Sequence, residues 1–413
     1  LNRPTRHQAM ESVVTKFCEI DVLGSYRTPE LNKLLAYRVI VTTCLTSWRL
    51  RQAGVPTGHF THMFFDESSQ AMEPEMIVPL CLAGADTSVV LAGDHQQLGA
   101  VVHSPSAAKA GLRISLQERL LKLGAQHRQR KVCPDGNMAV RPTKGPIMEQ
   151  SPMVAHLIDN YRSHPAILSC FSKLFYAGNL QAKADKKVTH SLASWEVLPQ
   201  KDFPCLFYGV VSKDSFNSES GSLCNKGEAD TIAYLIHQLL FMSRLKNLRI
   251  QDIGVIAPFR NQVLLIRKVL RKKQLGAINV GSVDDFQGKE MKVIFISTVL
   301  SKDREVLKRM EDSTNGIGIF SNPKRFNVAI SRAKSLMVVV GNPFVLAKKA
   351  WWKNILKYCV TKGAYVGVDR AGEFLDIVQS SYLNLGSGEN IEESFTRANN
   401  LYYSAERQWR IMA

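Results

Sequence analysis

The stretch THMFFDESSQ, residues 61–70, is the one that decides the fold. Its apolar run ends in two carboxylates, Asp66 and Glu67. In open α/β folds the strands are parallel and ligands bind at their carboxyl ends, so acids at this position favour a ligand site. The pattern is weak alone, because many strands end in acids that only cap the following helix.

Seven more short apolar runs predict the rest of the sheets. They are YRVIVTTC (37–44), SVVLAGD (88–94), CLFYGVV (205–211), IGVIAPF (253–259), INVGSV (278–283), KVIFISTV (292–299) and LMVVVGN (336–342). Near-continuous apolar runs are typical of strands buried on both faces. Helical periodicity appears between many of them, at 227–245, after Arg260 and at 344–359. The alternation predicts an α/β fold with parallel sheets.

A break in this alternation predicts two domains. The chain has 413 residues, which is too long for one ordinary core. Residues 124–152 are rich in Pro, Gly and basic side chains and have no periodicity, so they are predicted to be a loop or linker. The predicted organisation is a first domain at 1–123, this linker, a second domain at 153–368 and a helical tail at 369–413.

Composition narrows the class of partner. The formal net charge is +17, and hydrophobic residues make up 45% of the chain. A folded protein this basic favours polyanions such as nucleic acid. None of the eight cysteines forms a zinc-ligand pair, and their scatter suits a reducing compartment. No signal peptide or bilayer-length apolar run is present, so no membrane partner is expected.

Two further motifs contain groups suited to phosphate chemistry. LAGDHQQL (91–98) runs from an apolar strand to Gln97, whose neutral amide could hydrogen-bond a γ-phosphate. NYRSHP (160–165) places Arg162 before a predicted helix, and a guanidinium binds a transferring phosphoryl group bidentately. Each has a plainer alternative, a strand-to-helix turn for the first and a surface ion pair for the second.

The remaining two motifs follow later strands. VGSVDDFQGKE (280–290) predicts a tight turn in which Gln287, Gly288 and Glu290 could approach a nucleotide. RFNVAISRAK (325–334) contains Arg325 and Arg332, seven residues apart and therefore predicted to project from one face of a helix. A polar β-turn and two solvated arginines are the alternatives. The five motifs are persuasive only in combination.

DExxQ, GDxxQL, NYRxHP, VDxFQGxE and RxNVAxSRAK, in this order, resemble motifs II to VI of the superfamily 1 helicases. The resemblance is to the branch that includes the nonsense-mediated-decay helicase. GHFTHMFFDESSQAMEPEMIVPL (58–80) and VVLAGDHQQLGAVV (89–102) look most like the Armitage/SDE-type and zinc-finger-linked helicases. The resemblance extends from about Tyr37 to Asn342. It implies two RecA-like domains that bind ATP in the cleft and single-stranded nucleic acid across their top.

The resemblance also implies catalytic roles. Asp66 would coordinate Mg²⁺, Glu67 would position the hydrolytic water, and Gln97 would sense the γ-phosphate. Arg162 and Arg332 would be the two arginine fingers, supplied by the second domain. The carboxylates come from the first half of the chain and the arginines from the second, so domain closure would complete the site.

Other positions are implied to bind ATP or nucleic acid. Tyr161 would stack on adenine, and Gly288 and Glu290 would lie near the ribose and γ-phosphate. Arg325 is assigned to the same nucleotide site. The nucleic-acid track would be lined by Thr42, Thr43, Pro258, Phe259 and Ser282.

One element of the family pattern is missing. No G-x-x-x-x-G-K-[ST] phosphate loop occurs in the chain, although it is expected before VIVTTC. We expect that the sequence begins downstream of this loop, so that the first RecA-like domain is incomplete and the chain alone is inactive. The alternative is a truncated product that binds RNA without hydrolysing ATP. Smaller departures are Ser68, Ala100 and Ser331, and none removes a charged catalytic group.

The sequence therefore predicts an ATP-dependent RNA helicase that translocates on single-stranded RNA, 5′-to-3′, and unwinds tailed duplexes. ATP and Mg²⁺ are the expected cofactors, and proteins of RNA decay or silencing are the expected partners. The cytoplasm is the expected location, with the nucleus as the alternative. A DNA or DNA/RNA-hybrid helicase of the same branch and a non-catalytic RNA-binding remnant stay open.

Overall fold

A computed structural model describes residues 16–20, 26–129, 153–217, 222–245, 248–301 and 318–368. They fall into two compact units, the first within Leu1–Ala155 and the second within His156–Ala413. None of the helices in the described part of the chain has the length and apolar character needed to cross a bilayer.

In the first unit, the described residues form one pair of strands among five helices. Its strands are β1 (His62–Phe65) and β2 (Ser88–Leu91), which are parallel with Phe65 opposite Leu91. Its helices are α1 (Leu31–Ala36), α2 (Trp48–Gln52), α3 (Glu73–Leu80), α4 (Pro105–Ala107) and α5 (Leu116–Gln129). Single helical turns lie at Leu45–Ser47, Ser68–Gln70 and Ala108–Leu112.

Two expectations for the first unit are wrong. Residues 38–43 form no strand, because the sheet of this unit has only β1 and β2 among the described residues and a ladder needs an adjacent strand. The strand pair is also not buried on both faces. One face packs on a small core of Leu34, Leu50, Val55 and Leu82. Phe64 on the other face is 74% exposed.

The second unit is built on a six-stranded sheet in which every strand pair is parallel. Its strands are β5 (Cys205–Gly209), β8 (Ile253–Ile256), β9 (Asn279–Gly281), β10 (Met291–Ser297), β11 (Ala333–Gly341) and β12 (Tyr365–Gly367), in the order β12-β5-β11-β10-β8-β9. A short parallel pair, β3 (Asp159–Asn160) and β4 (Gln181–Ala182), and an antiparallel hairpin, β6 (Asp214–Asn217) and β7 (Ser222–Asn225), stand apart. The predicted α/β fold with parallel sheets is confirmed.

Helices surround this sheet. They are α6 (Pro165–Phe175), α7 (Lys186–Thr189), α8 (Lys226–His237), α9 (Arg260–Lys272), α10 (Gly318–Ser321), α11 (Pro323–Ile330), α12 (Pro343–Leu346) and α13 (Ala350–Thr361). Single turns lie at Gln238–Met242, Ile250–Asp252 and Asp284–Phe286. The strands β8, β10 and β11 are almost wholly buried, as their near-continuous apolar sequences predict.

The single helix predicted at 344–359 is instead two helices, α12 and α13. In one continuous helix, Leu346 would project on a different side from Trp351 and Ile355, since successive residues turn by about 100°. All three side chains are buried. A break after Leu346 lets them all reach the core.

The described residues include only the beginning of the predicted linker. Helix α5 continues to Gln129, into the predicted linker at 124–152, because LQERLLKLGAQHRQ is rich in good helix formers. Residues 130–152 and the tail at 369–413 lie outside the described residues.

A buried polar network holds the carboxyl end of β10. The Glu228 carboxylate in α8 is fully buried and accepts hydrogen bonds from the Ser297 hydroxyl at 2.6 Å and the Thr298 and Val299 amides at 2.8 and 2.9 Å. These bonds fix Val299 at φ 72°, which is rare for a β-branched residue. The Gln262 amide bridges the Asn225 backbone to Ser297, which ties the first turns of α8 and α9 to the same strand end.

We expect Glu228→Leu to lower the free energy of unfolding of the second unit by about 3 kcal/mol, because buried donors lose their acceptor. Burial raises the pKa of Glu228 to about 7, and the hydrogen bonds offset only part of that shift. The folded state therefore binds more protons than the unfolded state, and this carboxyl makes stability fall as pH rises from 4.5 to about 7.

Urea unfolding at several pH values measures both effects. Glu228→Gln should remove the part of the pH dependence that Glu228 contributes. Asp230→Asn is the matched control, since Asp230 is an exposed acid in the same helix. A Glu228→Gln protein with the wild-type pH profile would contradict the assignment.

Candidate nucleotide and nucleic-acid sites

Asp66 and Glu67 lie at the carboxyl edge of the β1–β2 pair, as predicted. Both side chains are exposed and follow Phe65, the last residue of β1. Glu67 has a left-handed backbone, with φ 50° and ψ 38°. Its carboxylate accepts a 2.7 Å hydrogen bond from the Gln70 amide, which fixes its direction. Strained conformations of this kind persist where the surrounding structure enforces them, commonly at functional sites.

The ends of the two strands are tied together beneath these acids. The Ser68 amide and hydroxyl both donate to the Ala92 carbonyl, at 2.8 and 2.9 Å. A Cβ on Gly93 would lie 3.0 Å from the amide nitrogens of both Ser68 and Ser69. A glycine is therefore required where the chain leaves β2, and the DESS and GDHQ segments are held side by side.

Gln97 lies in the second of these segments. Its amide donates to Asp94 at 2.7 Å, and the other Asp94 oxygen accepts from the Gln96 amide at 2.9 Å. The side chain is half-buried. Asp94 therefore positions the amide predicted to read a γ-phosphate.

The Asp66 carboxylate fits a magnesium–nucleotide complex. One of its oxygens accepts from the Glu67 amide at 3.0 Å, and the side chain remains exposed. Mg²⁺ commonly binds through one or two carboxylates together with substrate phosphates and waters. Within the described residues no three His, Cys, Asp or Glu side chains cluster as a metal site. Asp66 would therefore be one ligand of such a complex, in the way expected for a metal that arrives with its nucleotide.

Thr42 and Thr43, predicted to contact nucleic acid, precede the turn at Leu45–Ser47. The Thr43 hydroxyl bonds that of Thr46 at 2.8 Å and accepts from the Thr46 amide at 3.3 Å. Thr43 is exposed, and Thr42 is half-buried. The Thr43 hydroxyl therefore stabilises the turn, while its exposed face stays available.

In the second unit, Arg162 and Glu290 meet at the amino edge of the sheet. Glu290 immediately precedes β10, and its carboxylate pairs with Arg162 at 2.6 Å and with Lys334 at 2.6 Å. Partial burial raises the pKa of Glu290, but the bonds from Lys334 and Arg162 outweigh burial and leave that pKa below its ordinary value. One carboxylate thus holds two cations, and Arg162 keeps 30% of its side chain exposed.

The NYRSHP segment holds Arg162 in this place. Asn160 accepts from the amides of Arg162 and Ser163, at 3.1 and 2.9 Å. The His164 amide donates to Lys334 O at 2.8 Å, which fixes the segment to the start of β11. Burial lowers the pKa of His164 to about 4, so its neutral ring can accept from the Ala166 amide and begin α6. Tyr161 is 74% exposed, as a ring that stacks on a base needs to be.

Arg325 and Arg332 do not share a helical face, contrary to the prediction. Helix α11 ends at Ile330, because β11 begins at Ala333 and leaves Arg332 in the connection. Arg332 is 2% exposed and donates to Val328 O and the Ser331 hydroxyl. Arg325 binds Asp284 bidentately, at 2.6 and 3.0 Å. Arg325 therefore stabilises the turn that precedes Glu290.

Residues 282–290 connect β9 to β10 across the face of β8. Phe286 is fully buried, and a Cβ on Gly254 would lie 2.6 Å from its ring. Gly288 has φ 72°, and a Cβ there would meet nothing within 4 Å. The predicted tight turn is present. The Gln287 Nε2 atom is buried without a hydrogen-bond partner in the described part of the chain.

The predicted nucleic-acid residues of the second unit lie at the opposite, carboxyl edge. Pro258 and Phe259 follow β8, and Ser282 follows β9, its parallel neighbour. The Ser282 hydroxyl bonds Asp285 at 2.9 Å. The fold thus brings these three residues together and separates them from Arg162 and Glu290.

Two residues of these sites were not assigned from the sequence. Lys334 shares Glu290 with Arg162, and Asp284 holds Arg325. Both occur inside quoted motifs, Lys334 at the end of RFNVAISRAK and Asp284 in VGSVDDFQGKE. The charge of each side chain could have indicated a role in the site, but its ion-pair partner lies far away in the sequence.

Comparison with known proteins identifies the family of the chain. Two segments match AAA domain families, residues 25–105 and residues 146–343. The first includes Asp66, Glu67 and Gln97, and the second includes Arg162, Glu290 and Arg332. The fold and these two matches define an α/β protein of the nucleotide-binding AAA class.

Comparison with individual proteins identifies a family within this class. The chain is 38% identical to "Putative helicase mov-10-B.1" of Danio rerio over 87% of its length, 42% identical to "RNA helicase Mov10l1" of Homo sapiens over 82%, and 34% identical to "Probable RNA helicase armi" of Drosophila melanogaster over 81%. It spans 35%, 27% and 27% of these relatives. The chain belongs to the superfamily 1 helicases, in the branch related to the nonsense-mediated-decay helicase.

Proposed function

We propose that this chain is the motor region of an ATP-dependent RNA helicase. The observation that carries the proposal is the exposed Asp66–Glu67 pair at a parallel-sheet carboxyl edge, with Glu67 fixed in a left-handed conformation. RNA is favoured over DNA because Mov10l1 and armi are named as RNA helicases.

The proposed reaction assigns a role in ATP hydrolysis to Asp66, Glu67 and Arg162. Bound Mg²⁺ would neutralise charge on the phosphate oxygens, and Asp66 would hold it. Glu67, fixed by Gln70, orients the attacking water. Arg162 would donate its planar fork of N–H groups to the transferring phosphoryl group. Its present partner, Glu290, also pairs with Lys334.

RNA binding is proposed at Thr42 and Thr43 in the first unit and at Pro258, Phe259 and Ser282 in the second. Contacts to the backbone and stacking would give little sequence preference. We further propose 5′-to-3′ movement, a cytoplasmic location, and partners from RNA turnover or silencing. These last points rest on family resemblance.

The test is RNA-stimulated ATP hydrolysis by this 413-residue chain and by an engineered product in which a phosphate-loop segment of a relative is joined before Leu1. We expect hydrolysis only in the longer product, because a phosphate loop is needed to bind the β- and γ-phosphates. RNA binding without hydrolysis in both would favour a non-catalytic RNA-binding remnant.

Unwinding of matched RNA and DNA tailed duplexes tests the choice of substrate. We expect the RNA duplex to be unwound faster. Faster unwinding of the DNA duplex, or of a DNA/RNA hybrid, would replace the proposal with the corresponding helicase.

A further inference from the structure

Helix α9 has a basic outward face that none of the assigned sites uses. Its sequence, RNQVLLIRKVLRK, contains no acidic residue. Val263, Ile266 and Leu270 are buried against the sheet, and Gln262 is fixed in the Glu228 network. These four buried residues determine which side of the helix packs against the rest of the unit.

Four cations occupy the other side. Arg260, Lys268, Arg271 and Lys272 are exposed, and at about 100° per residue they lie within one arc of the helix surface. Arg267 is different, because its guanidinium donates to Val280 O and so stabilises β9.

Acidic groups on the neighbouring elements are mostly engaged elsewhere. Glu228 on α8 accepts from the end of β10, and Asp285 accepts from Ser282. Asp252 pairs with Arg249 and Lys292. Among the described residues, no ion pair involves any of the four outward cations of α9. Their charge is therefore available to an external anion.

The position of helix α9 indicates which kind of anion binds its basic face. Helix α9 begins directly after Pro258 and Phe259, at the carboxyl edge of the sheet where the proposed RNA track lies. From there the helix runs for about 20 Å at 1.5 Å per residue. Leu264 is the one large hydrophobic side chain exposed on this helix. A protein partner would need a larger apolar centre, whereas RNA phosphates need only cations.

We propose that the outward face of α9 is a second RNA-binding surface, which holds the phosphodiester backbone of RNA beyond the Pro258–Phe259 end of the track. This inference rests on the proposed RNA function. The surface binds without reading sequence, because lysine and arginine contact phosphates there and not base edges.

The test is RNA affinity of the 413-residue chain as a function of salt. The triple variant Lys268→Gln, Arg271→Gln, Lys272→Gln should bind long single-stranded RNA about tenfold more weakly at moderate salt, with a log–log slope shallower by about 2, at roughly 0.7 per lost phosphate contact. A short oligonucleotide that fills only the track should lose little affinity.

The matched control removes three exposed lysines elsewhere in the second unit, Lys183→Gln, Lys186→Gln and Lys187→Gln. An equal loss in control and test variants would assign the effect to net charge and overturn the proposal, as would an unchanged slope in the test variant. Failure of the wild-type chain to bind RNA would instead reject the proposed function.

A second measurement uses the wild-type chain. Bound long RNA should protect Lys268 and Lys272 from acetylation, read by peptide mass spectrometry, and leave Lys186 reactive. Equal reactivity of Lys268 with and without RNA contradicts the proposal. So does protection by an acidic polypeptide but not by RNA, which would identify the surface as a protein-binding site.

Discussion

Replacement of Arg162 by alanine should lower kcat for RNA-stimulated ATP hydrolysis by about 10³-fold in the product that contains the phosphate loop, as loss of an arginine finger does. The guanidinium supplies two N–H groups to charge that develops on the transferring phosphoryl group. The variant should still fold, because Glu290 keeps Lys334 at 2.6 Å. RNA affinity should be unchanged, since Arg162 lies at the opposite sheet edge from Pro258 and Ser282.

Arg249→Ala is the matched control. Arg249 is also an arginine of the second unit paired with a carboxylate, Asp252, but its side chain is 75% exposed and belongs to neither proposed site. Arg162→Lys should restore little activity, because an ammonium cannot form the bidentate contact. A loss of less than tenfold in Arg162→Ala would remove Arg162 from the catalytic set.

Arg162 gives a cleaner test than Arg332. The Arg332 guanidinium is buried and donates to Val328 O and Ser331 Oγ, so alanine at this position would also leave buried acceptors unsatisfied. Loss of activity in Arg332→Ala would therefore combine catalytic and structural effects.

Glu67→Gln should lower kcat by about 10²- to 10⁴-fold in the same product, within the range expected for loss of a catalytic base. The glutamine has the same size and can adopt the same left-handed backbone, so folding should not change. ATP and RNA binding should persist, because Asp66 is intact. Single-turnover hydrolysis, with nucleotide and RNA binding measured separately, distinguishes the chemical step from binding.

Glu75→Gln is the control for this variant. Glu75 accepts from the Met72 amide at the start of α3 and belongs to no proposed site. It should hydrolyse ATP at the wild-type rate. If Glu67→Gln raised KM and left kcat unchanged, Glu67 would be a binding residue and not the group that orients water.

The sequence predicted the second unit better than the first. The runs at 253–259, 292–299 and 336–342 are strands because each is buried between neighbours on both faces, which is the property that their apolar sequences report. The run at 37–44 has similar β propensity but no strand beside it among the described residues. A segment with high β propensity forms a strand only where another strand lies beside it to complete the hydrogen bonds.

The site was predicted as a set of residues but not as a set of contacts. The end of the predicted strand placed Asp66 and Glu67 at the carboxyl edge, where the structure has them. The Glu290–Lys334 pair and the Glu228–Ser297 bond join positions 44 and 69 residues apart, and local spacing has no information about them. The error on Arg332 arose because helical spacing was assumed through the point where β11 begins.

The close contact between Gly254 and Phe286 makes substitutions at these two positions depend on each other. The Phe286 ring fills the space that a side chain at position 254 would occupy. A larger residue at position 254 therefore requires a smaller side chain at position 286. Libraries that vary each position alone would reject substitutions that are acceptable as a pair. In the divergence of related chains, the two positions should therefore change together or remain as they are.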